Sequence, residues 1–186
     1  MNIAVLGKSA SGKDTFTNKA MREIEGVNKV LMCTTRPIRP GEECGVNYRF
    51  LSKEEMKYFK DNDMLASWYE TPNELGGDMW EYGYLKEDLM KPGINLVVLN
   101  PSAYRQIIEY CKLSVEIICP LIQRIDRSIK RVELTHKNMD EILRRACADE
   151  KDFEFLVTDY TFGNSNDDSQ YEFFKELIEH YKKRGY

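Results

Sequence analysis

Residues 7 to 15 read Gly-Lys-Ser-Ala-Ser-Gly-Lys-Asp-Thr and follow directly on the apolar run Ile3-Ala4-Val5-Leu6. Gly7 and Gly12 bracket four residues and Lys13 comes next. This is the spacing of a loop between strand and helix whose backbone N–H groups turn inward on a polyphosphate. The glycines admit main-chain conformations closed to residues with a Cβ, and Lys13 places a point charge on the phosphate oxygens. Phe16, Ala20 and Ile24 recur at i, i+4 and i+8, so a helix begins here and points its positive end at the same anion. The candidate phosphate-binding residues are therefore Gly7, Ser9, Ser11, Gly12, Lys13, Asp14 and Thr15. The position that usually carries Ser or Thr is Asp14, and the hydroxyl comes one residue later at Thr15; these two are the candidate Mg²⁺ ligands.

Two basic stretches could hold further phosphate. Thr34-Thr35-Arg36-Pro37-Ile38-Arg39-Pro40-Gly41-Glu42 is stiffened by proline and leads to Asn47-Tyr48-Arg49-Phe50. Paired guanidinium forks beside a phenol hydroxyl suit a phosphate dianion. Taken alone, an R-P-x-R-P run is also what a solvated turn looks like. The second stretch runs from Arg124 through Arg127, Lys130 and Arg131 to Arg144 and Arg145. Such a charge run is ordinarily a solvated helix face. Arg127 and Arg131 are nonetheless i, i+4 neighbours, and the segment 132–138 between two helices could fold over a ligand as a lid.

The elements that must position these groups follow from periodicity. Segments 2–7, 28–34, 94–100, 114–119 and 154–158 read as buried strands alternating with helices, which predicts an α/β fold with a parallel five-stranded sheet covered on both faces. Helices are expected at Ala103 to Cys111 and at Leu121 to Val132, the latter with Ile122, Ile125, Ile129 and Val132 on one stripe. Another is expected at Met139 to Ala148, capped by Asn138. A terminal helix is expected from a capping box at Ser169, with Tyr171, Phe174, Leu177, Ile178 and Tyr181 inward. Residues 35–92 break the rhythm, with one clear helix from Ser52 to Phe59, and read as an inserted, partly β subdomain in which Gly76-Gly77 supplies slack.

Length and composition narrow the class. With 186 residues the chain is expected to form a single domain, with a core at 1–34 and 93–186, the insert at 35–92 and a lid at 127–145. A 42% apolar and 31% charged composition fits a globular protein, and the apolar runs are too short for a membrane helix. The first residues lack a signal-peptide pattern, so a cytoplasmic location and no membrane partner are expected. Five cysteines without a C-x-x-C pair argue against a disulfide framework or zinc site. A net charge of −4 gives no global attraction for nucleic acid. His136 and His180 are expected in solvent.

The quoted motifs together resemble the guanylate kinases among the P-loop nucleoside monophosphate kinases. The resemblance is carried by the loop at 7–13, Thr34 to Glu42, Gly45-x-Asn47-Tyr48-x-Phe50, Tyr82-Gly83, and Arg127-x-x-x-Arg131 leading to Arg144-Arg145. It implies a P-loop NTPase fold and transfer of the ATP γ-phosphate, with Mg²⁺, to GMP or dGMP. By the same resemblance Arg36, Arg39, Tyr48 and Tyr82 hold the acceptor phosphate. Lys13, Arg131 and Arg144 or Arg145 neutralise the group in flight, and Arg127 belongs to the ATP side. The chain departs from the family at the base. A base-reading glutamate falls at Ser67, with Glu70 the nearest replacement, the matching aspartate falls at Asn100, and the small hydroxyl after Tyr-Gly is Tyr84. Phosphate handling is thus expected intact, with relaxed selectivity across purines. Two alternatives stand beside this reading: a kinase for another (deoxy)nucleoside monophosphate, and a non-catalytic guanylate-kinase-like binding module.

Overall fold

In the computed structural model, which describes residues 1–39, 41–72, 79–132, 135–164 and 169–185, the first strand β1 (Asn2–Leu6) is buried along its whole length. A strand apolar on both sides belongs in the middle of a parallel sheet with helices on each face. The chain continues as α1 (Lys13–Glu23), β2 (Val27–Val30), β3 (Cys33–Thr34), β4 (Arg49–Phe50), α2 (Lys53–Asp61), β5 (Leu65–Pro72), β6 (Met79–Leu85) and the single-turn α3 (Lys86–Leu89). Then come β7 (Ile94–Val98), α4 (Pro101–Ile107), β8 (Cys111–Ile118), α5 (Leu121–Ile129), α6 (His136–Asp152), β9 (Tyr160–Gly163) and α7 (Ser169–Lys183).

The main sheet has the order β2-β7-β1-β8-β9 and is parallel throughout. Alternation along β1 divides the core between its two faces. Ile3 and Val5 join Phe16 and Ala20 of α1, Ile24 just after it, and Tyr171, Phe174 and Ile178 of α7. Ala4 and Leu6 join Ala103, Tyr104 and Ile107 of α4, with Phe153 and Tyr84. The expected inward face of α7 is therefore the observed one, with Leu177 and Tyr181 partly buried beside it. A second sheet, β4-β3-β6-β5, lies between β2 and β7 in sequence. Its apolar side closes over Cys33, Met56 and Leu85. Ser52 and Glu55 form the reciprocal capping box that starts α2, as the sequence implies.

Several expected boundaries move. Run 28–34 splits between the two sheets at Leu31-Met32, because β2 pairs with β7 whereas β3 pairs with β4 and β6. Segment 154–158 is not a strand: Phe155 and Val157 are 84% and 85% exposed, and the edge strand is Tyr160–Gly163. An edge strand that buries only Phe162 leaves little apolar signal to read. Cys111 opens β8 rather than closing a helix, since α4 ends at Ile107 and a 3₁₀ turn follows. Helix α6 starts a turn before the expected cap, with the Thr135 side chain accepting from Asn138 N–H. The stripe expected on α5 is not its inward face. Ile122 is exposed, and the buried residue is Arg124, drawn in by carboxylates of α6. Gly76-Gly77 lies outside the described residues.

Candidate functional site

The phosphate loop leaves β1 at the C-terminal edge of the sheet, between the ends of β7 and β8, where ligands bind in open α/β sheets. Its backbone needs the left-handed region at Gly7 (φ +149°), Ala10 (+59°) and Gly12 (+100°). Space is as limiting as φ. A Cβ on Gly7 would sit 2.5 Å from Ile117 O, and one on Gly12 would sit 1.8 Å from Asn164 Nδ2. The loop is held from behind by Asn164 Nδ2 donating to Ser11 O (2.6 Å) and by Arg127, whose guanidinium reaches Ser11 O (3.3 Å) and Asn164 O (3.2 Å). Arg127 thus braces the loop's carbonyl side.

Lys13 turns back over the loop, its Nζ donating to Gly7 O (2.5 Å) and Lys8 O (3.1 Å). Burial pulls its pKa below the ordinary lysine value, against the nearby charges of Asp14 and Asp149. Its hydrogen bonds go to neutral carbonyl oxygens, for which an anion would be a stronger acceptor. Ser11 Oγ is buried without a hydrogen-bond partner. Ser9 N–H donates to Asp149 Oδ2 at 2.6 Å. Asp14 accepts from Lys29 Nζ (2.7 Å), and the same amine reaches Asn18 Oδ1 (3.4 Å). Among the described residues no cluster of three metal-ligating side chains occurs. Magnesium needs no such cluster, because one carboxylate with phosphate and water oxygens suffices. Asp14 on the cleft wall meets that requirement. Thr15 is exposed and is not among the residues lining the cleft.

A cleft of about 820 Å³ joins this loop to the second sheet. Gly7, Ser9, Lys13 and Asp14 line it from the loop, Arg131, Asp149 and Asp152 from α6 and the turn before it, and Met32, Tyr48, Tyr69, Tyr84 and Asn100 from the opposite side. Arg36 is buried at 4% exposure beneath that side. Its Nη2 grips both Glu42 oxygens (2.8 and 3.0 Å), and its guanidinium lies 5.3 Å from the Tyr48 ring and 5.6 Å from Phe50. Arg39 is exposed, with its N–H on Glu42 Oε2. Tyr82 stacks on Tyr69 at 5.3 Å between centroids.

The remaining expected site residues are placed differently. Arg144 and Arg145 both pair with Glu141 and stand outside the cleft lining, whereas Arg131 lines it. Ser67 is buried, and its Oγ has no partner. Glu70 faces away from the cleft, beside Lys53, Lys57 and Lys60 on the other side of the sheet. A register shift between Leu65 and Ser67 sets the phase of β5, and alternation then aims Tyr69 rather than Glu70 at the cleft. Asn100 turns its Oδ1 to Ala103 N–H (2.7 Å) as the N-cap of α4. Tyr69, Lys29 and Asp149 are cleft residues that sequence reasoning missed, and Arg124, counted there with the basic stretch, pairs with Asp149. The first was hidden by strand phase and the others by pairing across distant segments.

Residues 1–81 match the guanylate kinase family. That segment carries the loop, Arg36, Arg39 and Tyr48. The guanylate kinase of Symbiobacterium thermophilum is 39% identical over 77 residues, covering 38% of this chain and 36% of that protein. The guanylate kinase of Synechococcus sp. strain JA-3-3Ab is 27% identical over 130 residues, covering 69% of this chain and 59% of its own. The matched part is a little over a third of the length of the first relative. The crystal structure of guanylate kinase from Anaplasma phagocytophilum superposes with a TM-score of 0.63 at 22% identity, covering 96% of this chain and 84% of that one. The likeness extends the fold, that of a P-loop NTPase, beyond the segment that the family pattern covers.

Proposed function

We propose that this chain is an ATP-dependent nucleoside monophosphate kinase of the guanylate kinase kind, acting on GMP or dGMP. The observation that carries the reading is the single cleft that runs from Lys13 and the loop to Tyr48, whose ring lies over the Arg36 guanidinium. Two anions brought into one cleft from opposite ends are placed for transfer between them.

A monophosphate oxygen is already a nucleophile at neutral pH, so no side-chain base is needed. The acceptor oxygen forms a bond to the γ-phosphorus as the bond to the β,γ-bridging oxygen breaks, and ADP leaves. The protein overcomes repulsion between the anions and holds them in line. Lys13 moves from the Gly7 and Lys8 carbonyls to the phosphate, and the loop N–H groups cradle it. Arg131 is the cleft cation from the α6 side. Arg36, preorganised by Glu42, presents its fork with the Tyr48 hydroxyl to the acceptor phosphate. Asp14 would hold Mg²⁺, which would supply charge neutralisation on the phosphates. Arg144 and Arg145 come into play only if Glu141 releases them. We place the activity in the cytoplasm, in keeping with five unbridged thiols.

The test is ADP formation from ATP and Mg²⁺ with a panel of nucleoside monophosphates. Turnover that requires a monophosphate supports the reading; the absence of such turnover with every member refutes it.

A further inference from the structure

We propose that Tyr69 and Asn100 read the acceptor base as a neutral donor–acceptor pair, selecting bases with a carbonyl beside a ring N–H, so that keto pyrimidines are accepted alongside guanine. The inference rests on the nucleoside monophosphate reading and specifies its substrate class.

The argument starts from which atoms are already committed. Asn100 Oδ1 caps α4 through Ala103 N–H at 2.7 Å, which fixes the amide with its N–H side toward the cleft that Asn100 lines. The Tyr69 hydroxyl donates to Met32 Sδ at 3.4 Å. Having donated its one hydrogen, the oxygen keeps its lone pairs for the cleft. The ring is held in place by its stack on Tyr82, 12° from parallel. Beneath the pair the wall is apolar or already satisfied. Tyr84 is buried with its hydroxyl on Val98 O, and Val98 and Leu99 line the same side.

What this end lacks decides the chemistry. Among the described residues the carboxylates lining the cleft are Asp14, Glu42, Asp149 and Asp152. None lies on β5, β6, β7 or α4, which carry Tyr69, Tyr84, Val98 and Asn100. Asp14, Glu42 and Asp149 are further engaged by Lys29, Arg36 and Arg124. Guanine offers O6, N1–H and an exocyclic amino group. The pair satisfies the first two, with Asn100 Nδ2–H on the carbonyl and Tyr69 Oη on the ring N–H, and leaves the amino group without a carboxylate among the described residues. Thymine and uracil offer the same carbonyl and ring N–H at O4 and N3 without that amino group. Adenine and cytosine put an amino group where the carbonyl should be and a bare ring nitrogen where the N–H should be. Both contacts then oppose like with like, and a buried group left unpaired is what makes such a site discriminate.

The experiment measures binding of GMP, dTMP, UMP, AMP and CMP by calorimetry, and turnover of the same panel with ATP and Mg²⁺. GMP and dTMP are expected to lie within about tenfold of each other and at least about tenfold tighter than AMP and CMP, since one unpaired buried hydrogen-bonding group already costs that much. Tyr69→Phe should bring the keto and amino bases to within about threefold of each other while the KM for ATP stays put, a change that a purely structural role for the ring would not produce. Asn100→Asp retains the helix cap and replaces the donor with an acceptor, so it should favour GMP over dTMP. Guanine preference of about a hundredfold over dTMP, or AMP and CMP binding equal to GMP, overturns the inference. A Tyr69→Phe protein with unchanged base ranking does the same. If the keto bases bind in the expected order but no monophosphate is phosphorylated, the base reading stands and the kinase reading falls. If nothing binds, both fall.

Discussion

Asp149 Oδ2 accepts the Ser9 N–H at 2.6 Å, so a carboxylate of α6 occupies a donor that the loop would otherwise turn toward a phosphate. Arg124 bridges from Asp149 (3.4 Å) to Glu150 (2.6 Å), and Glu150 reaches Lys8. The helix and the loop are thereby clasped at two points. An entering polyphosphate must compete with Asp149 for that amide and repel its charge. Asp149→Ala is expected to lower the KM for ATP about fivefold, the equivalent of one net hydrogen bond, with little change in kcat. Steady-state kinetics with ATP varied checks this; a raised KM would mean that Asp149 assists ATP binding instead.

Lys13 gives a prediction whose sign depends on pH. Its pKa is lowered in the folded, ligand-free chain, first by burial. Below that lowered value the fold holds a cation at a cost, and the cost fades as pH rises through it toward the ordinary 10.5, where the unfolded chain also loses its charge. Lys13→Met should therefore raise the melting temperature of the ligand-free protein at neutral pH, with the gain shrinking under alkaline conditions. The same variant should lose ATP-dependent stabilisation and about a hundredfold or more in activity, as removal of a preorganised charged donor does. Thermal melts across pH, with and without ATP, separate the two effects.

Arg36 lies under Tyr48, which lines the cleft, so the proposed acceptor role can be tested by mutation. Arg36→Met should raise the KM for the monophosphate by an order of magnitude or more and leave that for ATP nearly unchanged, since loss of a charged fork costs about 1.5–3 kcal/mol. Equal effects on both KM values would put its role elsewhere. Stability should drop as well, because Glu42 is left partly buried without its partner.

Gly12 and Gly45 both take positive φ, but only Gly12 is crowded. A Cβ at Gly45 meets nothing within 4 Å, whereas one at Gly12 runs into Asn164. Substitution by Ala should cost about 1 kcal/mol at position 45 and clearly more at position 12, where the Asn164 bond to Ser11 must also move. Urea unfolding of the two variants gives the comparison directly.

What the sequence discloses is what local chemistry determines. The loop between β1 and α1 is announced by two glycines and a lysine, α2 by Ser52 and Glu55, and the inner face of α7 by Tyr171, Phe174 and Ile178. What it conceals depends on partners far away along the chain. Arg124 looks like one more surface base until Asp149 and Glu150 arrive from α6. Phe155 and Val157 have the composition of a strand but face solvent, while the real edge strand Tyr160–Gly163 is secured by pairing with β8 and needs only one buried ring. Glu70 is the obvious carboxylate near the base, yet the irregularity at the start of β5 turns it outward and brings Tyr69 in. Asn100 has the right position, but the N-terminus of α4 had already claimed its oxygen.

The passage from one sheet to the other at Leu31-Met32 also works as a ruler. Upstream, Lys29 is pinned to Asp14 in the first turn of α1, beside the loop proposed to hold ATP. Downstream, Arg36 is pinned to Glu42 at the proposed acceptor end. In the proposed kinase the chain between these pins would set how far apart the two phosphates sit, and each residue of extended chain spans about 3.3 Å. A deletion there would shorten the gauge by more than the reach of a phosphoryl transfer can absorb, and an insertion would lengthen it as much. The length of this stretch is thus under constraint together with its buried side chains Val30, Cys33 and Thr34.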